Sequence, residues 1–140
     1  MESKNYIITK ILKARKHEEN TVFDELSSKI INSAIQVHKK LGPGFMESIY
    51  ENALCIELQK RGIKFERQEG VKIYYERQEV GIHRVDLIVE DKIIVELKAV
   101  KEFEDVHLAQ LRSYLKATGL KIGLLLNFAK PTLNIKRIVN

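Results

Sequence analysis

One stretch, residues 84–98, constrains the fold more than any other part of the chain. Two aliphatic runs, residues 85–89 and 93–97, flank a short polar segment, which is the pattern of two β-strands joined by a tight turn. A loop of three residues would place Asp86 directly opposite Glu96. We therefore predict a β-hairpin in which two carboxylates face each other, with Cβ atoms about 4.5–5.5 Å apart.

The face of this hairpin that carries the acids is unusual for a sheet. Because side chains alternate with a period of two, Lys98 shares that face with Glu96, as do Ile88 and Ile94. Two like charges about 5 Å apart repel by roughly 3 kcal/mol at an effective dielectric of 20, and a hard divalent cation would relieve the repulsion. The alternative is an ordinary solvated face, with Asp86 at a strand start and an ion pair between Glu96 and Lys98. The opposite face is uncharged and consists of Val85, Leu87, Val89, Ile93, Val95 and Leu97.

Length and composition indicate one soluble domain. The chain has 140 residues, of which 44% are hydrophobic and 31% charged. The single cysteine, Cys55, cannot supply the ligands of an iron–sulfur cluster, so we expect no such cluster. No apolar run suits a membrane span and no signal peptide is evident, which predicts a cytoplasmic protein without a membrane partner. A net charge of +5 permits a nucleic-acid partner without requiring one.

Two regions are predicted along the chain. Residues 1–22 carry short apolar pairs and a basic excess, which suggests a helical or partly ordered extension. Residues 23–140 form the single domain. Docking of the extension onto a second copy of the chain would produce a homodimer, which is one interpretation of its apolar pairs.

Helices and strands follow one another throughout the domain. Apolar residues spaced three and four apart predict helices over residues 23–40, 45–60 and 106–117. Besides the hairpin, the predicted strands cover residues 63–67, 71–76, 120–128 and 135–139, with turns at 68–70 and 78–81. This order predicts an α/β (α+β) fold with one mixed central β-sheet flanked by helices.

Two helices also carry polar residues that packing does not require. Glu47 lies one turn before Tyr50, on or beside the buried stripe of the second helix. His107, Gln110 and Tyr114 lie three and four apart on the third helix and form one ridge, separate from its leucine stripe. We predict that this ridge faces a ligand, and a solvated surface is the alternative.

His83 is predicted to lie away from the acids. It has the parity of Val85, which belongs to the uncharged face of the hairpin. We therefore do not expect His83 to be a ligand.

Several segments of the sequence, in the same order, resemble a known family. Asp86 followed by Glu96-Leu97-Lys98 on the next strand resembles the D…(D/E)xK core of the PD-(D/E)xK nuclease superfamily, although Val85 replaces the proline of the motif. Residues 44–50, Gly-Phe-Met-Glu-Ser-Ile-Tyr, are similar to the signature of its GxxExxY group. Gln110 and Tyr114 resemble the QxxxY element of its RecB-like branch. The similarity covers approximately residues 23–140.

This resemblance implies a restriction-endonuclease-like core and a metal-dependent nuclease, with DNA as the expected substrate. It implies that Asp86, Glu96 and Glu47 hold Mg²⁺ or Mn²⁺. Lys98 would orient or activate the attacking water. A nucleic-acid-binding or regulatory module that keeps the fold without turnover is the alternative. The residues expected to contact the substrate are Gln110, Tyr114, His107 and Tyr50.

Overall fold

The computed structural model describes the backbone of residues 4–140 and the side chains of residues 6–13 and 25–140. The helices are α1 (Lys4–Leu41), α2 (Glu47–Lys60) and α3 (Asp105–Thr118). The strands are β1 (Phe65–Tyr75), β2 (Gln78–Val89), β3 (Ile93–Lys98), β4 (Ile122–Asn127) and β5 (Asn134–Val139). They form one five-stranded sheet in the order β1-β2-β3-β4-β5. Neighbouring strands are antiparallel except for β3 and β4, which are parallel, so the predicted mixed sheet is confirmed.

Helix α1 begins at Lys4 and therefore runs through most of the predicted extension. The predictions for residues 1–3 and for the side chain of Phe23 lie outside the described residues. The division into an extension and a domain stays a prediction. None of the described helices is both long enough and apolar enough to cross a bilayer.

The hairpin of β2 and β3 has the register that the sequence predicts. The pairs are Val89 with Ile93, Ile88 with Ile94 and Leu87 with Val95. Glu90 and Asp91 close the three-residue loop with φ angles of 52° and 56°. Beyond Leu87 the backbone pairing of the two strands ends. There the carboxylates of Asp86 and Glu96 accept hydrogen bonds from backbone N–H groups of the opposite strand.

The strands before the hairpin differ from the prediction. Strand β1 is continuous, so the turn predicted at residues 68–70 is wrong. The turn predicted at residues 78–81 is also wrong, because these residues begin β2 and the chain reverses at Glu76 and Arg77, with φ angles of 48° and 67°. The glycine in each segment suggested a turn, but in the long β1–β2 ribbon both glycines have partners across the ladder.

The sheet is covered on both faces. Helices α1 and α2 pack on one face to form the α1/α2 cluster, and α3 packs on the other to form the α3 cluster. The α1/α2 cluster includes Ile30, Tyr50, Leu54, Leu87, Val89, Val95, Leu124 and Phe128. The α3 cluster includes Val71, Val85, Ile94, Leu111, Tyr114, Leu115 and Leu125. The carboxylate-bearing hairpin face is therefore also a packed face, with Ile94 fully buried beneath α3.

The alternation of side chains reverses partway along β1 and β2. Phe65 and Leu87 pack in the α1/α2 cluster, whereas Val71 and Val85 pack in the α3 cluster despite having the same parity within their strands. Gln68 lies at the reversal in β1 and adopts the left-handed region, with a φ of 51°. Val85 therefore does not belong to the uncharged face on which the sequence placed it.

The contact between α3 and β4 leads to a stability prediction. A Cβ atom added to Gly123 would lie 2.7 Å from Cδ1 and 2.8 Å from Cγ of Leu111, which is 1% exposed. We expect Gly123→Ala to lower the free energy of unfolding by roughly 1–3 kcal/mol, because the buried leucine must move. Gly81→Ala is the control, since no atom lies within 4 Å of that Cβ position. Equal stability of the two variants in urea denaturation would contradict this packing.

Candidate active site

Asp86 and Glu96 lie where β2 and β3 separate, and each hydrogen-bonds the opposite strand. The Asp86 N–H donates to Glu96 Oε1 at 3.0 Å. The Leu97 N–H donates to Asp86 Oδ2 at 2.8 Å. This reciprocal pair of bonds fixes both carboxylates across the gap, so the structure brings the two acids together as the hairpin register requires.

Both carboxyl groups have raised pKa values. Burial, followed by the charge of Asp86, raises the pKa of Glu96 to about 7. Burial is also the largest cause of the raised pKa of Asp86, while the hydrogen bond from Leu97 acts in the opposite direction. Lys98 is half-buried and close enough to lower the pKa of both acids. In the metal-free protein Glu96 is thus partly protonated near neutral pH, and a cation beside the pair would favour its charged form.

Glu47 reaches this site from α2. It lies in the first turn of the helix, and its Oε1 accepts a hydrogen bond from the N–H of Ala99 at 3.2 Å. Its charge contributes to the raised pKa of Glu96. Glu47 therefore lies at the end of β3, within electrostatic reach of the buried acid, and its side chain is exposed.

Tyr50 supports the loop that precedes Glu47. Its ring is fully buried and stacks on Phe128 with a centroid separation of 4.5 Å. Its hydroxyl donates to the carbonyl oxygen of Gly42 at 2.6 Å and accepts from the N–H of Phe45 at 3.1 Å. A fully buried side chain is out of reach of a substrate, so the expected substrate contact of Tyr50 is replaced by a structural role.

We expect Tyr50→Phe to lower the free energy of unfolding by roughly 1–3 kcal/mol, because the partner of the Gly42 carbonyl is lost. Tyr75→Phe is the matched control, since Tyr75 is 68% exposed. Chemical denaturation of both variants checks this role. Indistinguishable stability of Tyr50→Phe and wild type would contradict it.

The three residues of the α3 ridge have different surroundings. Tyr114 is buried, and after burial the charges of Glu96 and Asp86 are the causes of its raised pKa. His107 caps the helix, because its Nδ1 accepts from the N–H of Glu104 at 3.0 Å. Gln110 is exposed. Of the three residues, Tyr114 lies near the acids. Gln110 lies on the surface one turn earlier, and His107 caps the start of the helix.

The prediction that His83 lies on the uncharged face of the hairpin is wrong, whereas its exclusion from the ligands stays a prediction. Its ring stacks on Tyr114, with centroids 4.2 Å apart and planes inclined by 16°. The physical reason is the reversed alternation in β2, which places Val85 in the α3 cluster. His83 has the same parity and so meets the same helix.

Two further residues of the site, Gln68 and Glu51, were not predicted from the sequence. Gln68 Nε2 donates to Glu51 Oε1 at 2.8 Å and lies 3.4 Å from Asp86 Oδ1. Glu51 is 8% exposed, and its charge contributes to the raised pKa of Asp86. Glu51 follows Glu47 by one helical turn, and this spacing was a usable signal. Gln68 gave no signal, because its segment has the composition of a turn.

The oxygen atoms that stay open on the two acids are suitable ligands for a hard divalent cation. Asp86 Oδ1 has only the long contact with Gln68, and Glu96 Oε2 accepts no hydrogen bond from any described residue. Mg²⁺ and Mn²⁺ accept such carboxylate oxygens and commonly complete their shell with water and substrate phosphate. Within the described part of the chain, no three His, Cys, Asp or Glu side chains form a group that could hold a metal ion. The geometry therefore suits a metal site with two protein carboxylates, in which water and substrate phosphate would fill the other coordination positions.

Comparison with known proteins covers most of the chain. Residues 24–138 match the family model of the PD-(D/E)XK nuclease superfamily. The crystal structure of a protein called SSO0001 is similar with a TM-score of 0.50 and 18% identity over 66% of this chain and 49% of that one. The chain thus spans about half the length of that protein, and the likeness concerns the fold alone. No curated protein matched significantly. The family match, together with the mixed sheet and its flanking helices, shows that the chain belongs to the PD-(D/E)XK nuclease superfamily.

Proposed function

We propose that this protein is a Mg²⁺- or Mn²⁺-dependent nuclease that hydrolyses phosphodiester bonds in DNA, acting in the cytoplasm. The observation that carries the proposal is the Asp86–Glu96 pair. Each carboxylate uses one oxygen for the opposite strand; the other oxygen of Glu96 stays open, and the other oxygen of Asp86 has only the 3.4 Å contact with Gln68. Burial of two adjacent acids is unfavourable unless a cation or protons compensate. A divalent ion held by these carboxylates would supply this compensation.

The residues around the pair have separate roles in this mechanism. Asp86 and Glu96 would hold the ion, and Glu47 would act from α2 through its charge rather than as a third ligand. A bound Mg²⁺ lowers the pKa of a coordinated water and offsets charge on the phosphate. Lys98 orients the attacking water and stabilises the charge that develops on the phosphate oxygens. Its proximity to both acids, seen in its effect on their pKa values, supports this role.

The α3 helix supplies the proposed substrate side of the site. Tyr114 lies near the acids, and exposed Gln110 lies one turn before it. This pair, with residues 44–50, supports a further assignment to the GxxExxY group and the RecB-like branch. We expect no iron–sulfur cluster, since the chain has one cysteine.

Cleavage of a labelled DNA duplex in a metal titration tests the proposal. We expect products in Mg²⁺ or Mn²⁺ and none in excess chelator, because water activation depends on the ion. Asp86→Asn protein purified in parallel serves as the control for contaminating nuclease. Cleavage that continues unchanged in chelator would contradict the proposal.

A further inference from the structure

Gln68 combines a strained backbone with contacts to two carboxylates. It lies within β1, where Arg67 pairs with Leu87 and Glu69 pairs with Val85, so it is adjacent to Asp86 on the neighbouring strand. Its φ of 51° is in the left-handed region, which a non-glycine residue adopts at a cost in free energy. Such a conformation persists where surrounding contacts determine it, and these contacts are found on both the backbone and the side chain of Gln68.

The contacts of Gln68 connect α2 to the candidate active site. Its carbonyl oxygen accepts a hydrogen bond from Arg84 Nη1 at 3.1 Å. Its Nε2 donates to Glu51 Oε1 at 2.8 Å. The other oxygen of Glu51 accepts from Arg67 Nη2 at 2.7 Å, and burial of Glu51 restricts its motion. The carboxamide of Gln68 is therefore held by a rigid acid on the helix.

The second contact of the same Nε2 is to Asp86 Oδ1, at 3.4 Å. This oxygen is the one that Leu97 does not use, and it is the proposed metal-binding oxygen. A contact of this length restrains the carboxylate but is too long to compete strongly with a metal ion. The amide is also neutral, so it does not replace a cation beside Asp86 as a lysine or arginine would.

We propose that Gln68 is a positioning residue that orients the metal-binding oxygen of Asp86, with Glu51 as its anchor; this inference rests on the proposed function. Partners that orient metal ligands in this way affect metal affinity even though they do not bind the ion. The left-handed backbone conformation of Gln68 contributes to this positioning. It turns the Gln68 side chain toward Glu51 and Asp86 at the point where the alternation of β1 reverses.

Calorimetric titration of the intact protein with Mn²⁺ alone tests this proposal. We expect Gln68→Gly to bind Mn²⁺ roughly 10- to 100-fold more weakly than wild type. Its thermal midpoint without metal should change little, because relief of the positive φ in glycine offsets the lost hydrogen bond to Glu51. Asp91→Gly is the matched control, since Asp91 also has a positive φ, of 56°, and lies exposed in the β2–β3 loop. This control should bind Mn²⁺ as wild type does.

Gln68→Asn provides a second variant in case the glycine variant folds poorly. Asparagine tolerates the left-handed region and keeps an amide, but it is one methylene too short to contact both acids. We expect it to weaken Mn²⁺ binding as well. Wild-type affinity in the folded variants, even with a lowered thermal midpoint, would overturn the positioning role alone. A wild-type protein that binds no Mn²⁺ would overturn both the proposed function and this inference.

Discussion

Lys98→Ala is expected to lower the rate of DNA cleavage at least about 100-fold, with the fold retained. The half-buried ammonium lies within electrostatic reach of Asp86 and Glu96, where the attacking water and the phosphate would meet. Among the described residues, no ion pair holds Lys98 at another place. The rate should be measured at saturating Mg²⁺, because loss of the Lys98 charge also raises the pKa of both acids and so changes the apparent affinity for the ion.

Lys101→Ala is the matched control for this variant. It removes the same charge three positions along the chain from an exposed side chain. We expect it to retain cleavage within a few-fold of wild type. A Lys98→Ala protein as active as the Lys101→Ala control would contradict the role of Lys98.

Glu96→Gln is expected to stabilise the metal-free protein above neutral pH. The pKa of Glu96 is raised from 4.5 to about 7 in the folded state, so the folded state retains a proton that the unfolded chain releases. The free energy of unfolding of wild type should therefore fall as pH rises from about 4.5 to 7, by roughly 3 kcal/mol for a shift of this size. Glutamine does not titrate, and its Oε1 can still accept from the N–H of Asp86. The variant should lose this part of the pH dependence.

Urea denaturation in chelator at pH 5 and pH 8 measures the effect. Glu79→Gln, an exposed glutamate of β2, is the control and should keep the wild-type pH dependence. The same Glu96→Gln variant should be inactive in Mg²⁺, because it lacks a metal-binding carboxylate. If Glu96→Gln kept the pH dependence of wild type, burial of the charged Glu96 carboxylate would not lower the free energy of unfolding, and the prediction would be wrong.

The part of the fold nearest the acids was predictable because several local signals agree. Aliphatic residues on both sides of a three-residue polar loop specify the β2–β3 register, and that register brings Asp86 to Glu96. The α3 helix and the last two strands were also predicted to within two residues, since their apolar patterns end at glycine or proline. For these elements, local pattern and tertiary packing favour the same structure.

The remaining differences between the predicted and the observed structure arise from single residues whose conformation or burial depends on contacts that are distant in the sequence. The reversal in β1 requires Gln68 to adopt a positive φ, and glutamine carries no propensity that predicts it. Without that reversal, parity places His83 on the wrong face. Tyr50 is buried because Phe128, far away in the sequence, stacks on it. The role of Glu51 likewise depends on a strand residue that no local pattern identifies.

The central claim is that the Asp86–Glu96 pair forms a metal-dependent nuclease site. Cleavage of labelled single-stranded, duplex and flap DNA in Mg²⁺ and in Mn²⁺, with wild type and Asp86→Asn purified in parallel, tests it most directly. We predict metal-dependent cleavage of at least one substrate by wild type and none by Asp86→Asn. Equal cleavage by both proteins would contradict the claim. Salt-dependent DNA binding without cleavage by either would also contradict it and would favour the non-catalytic nucleic-acid-binding module.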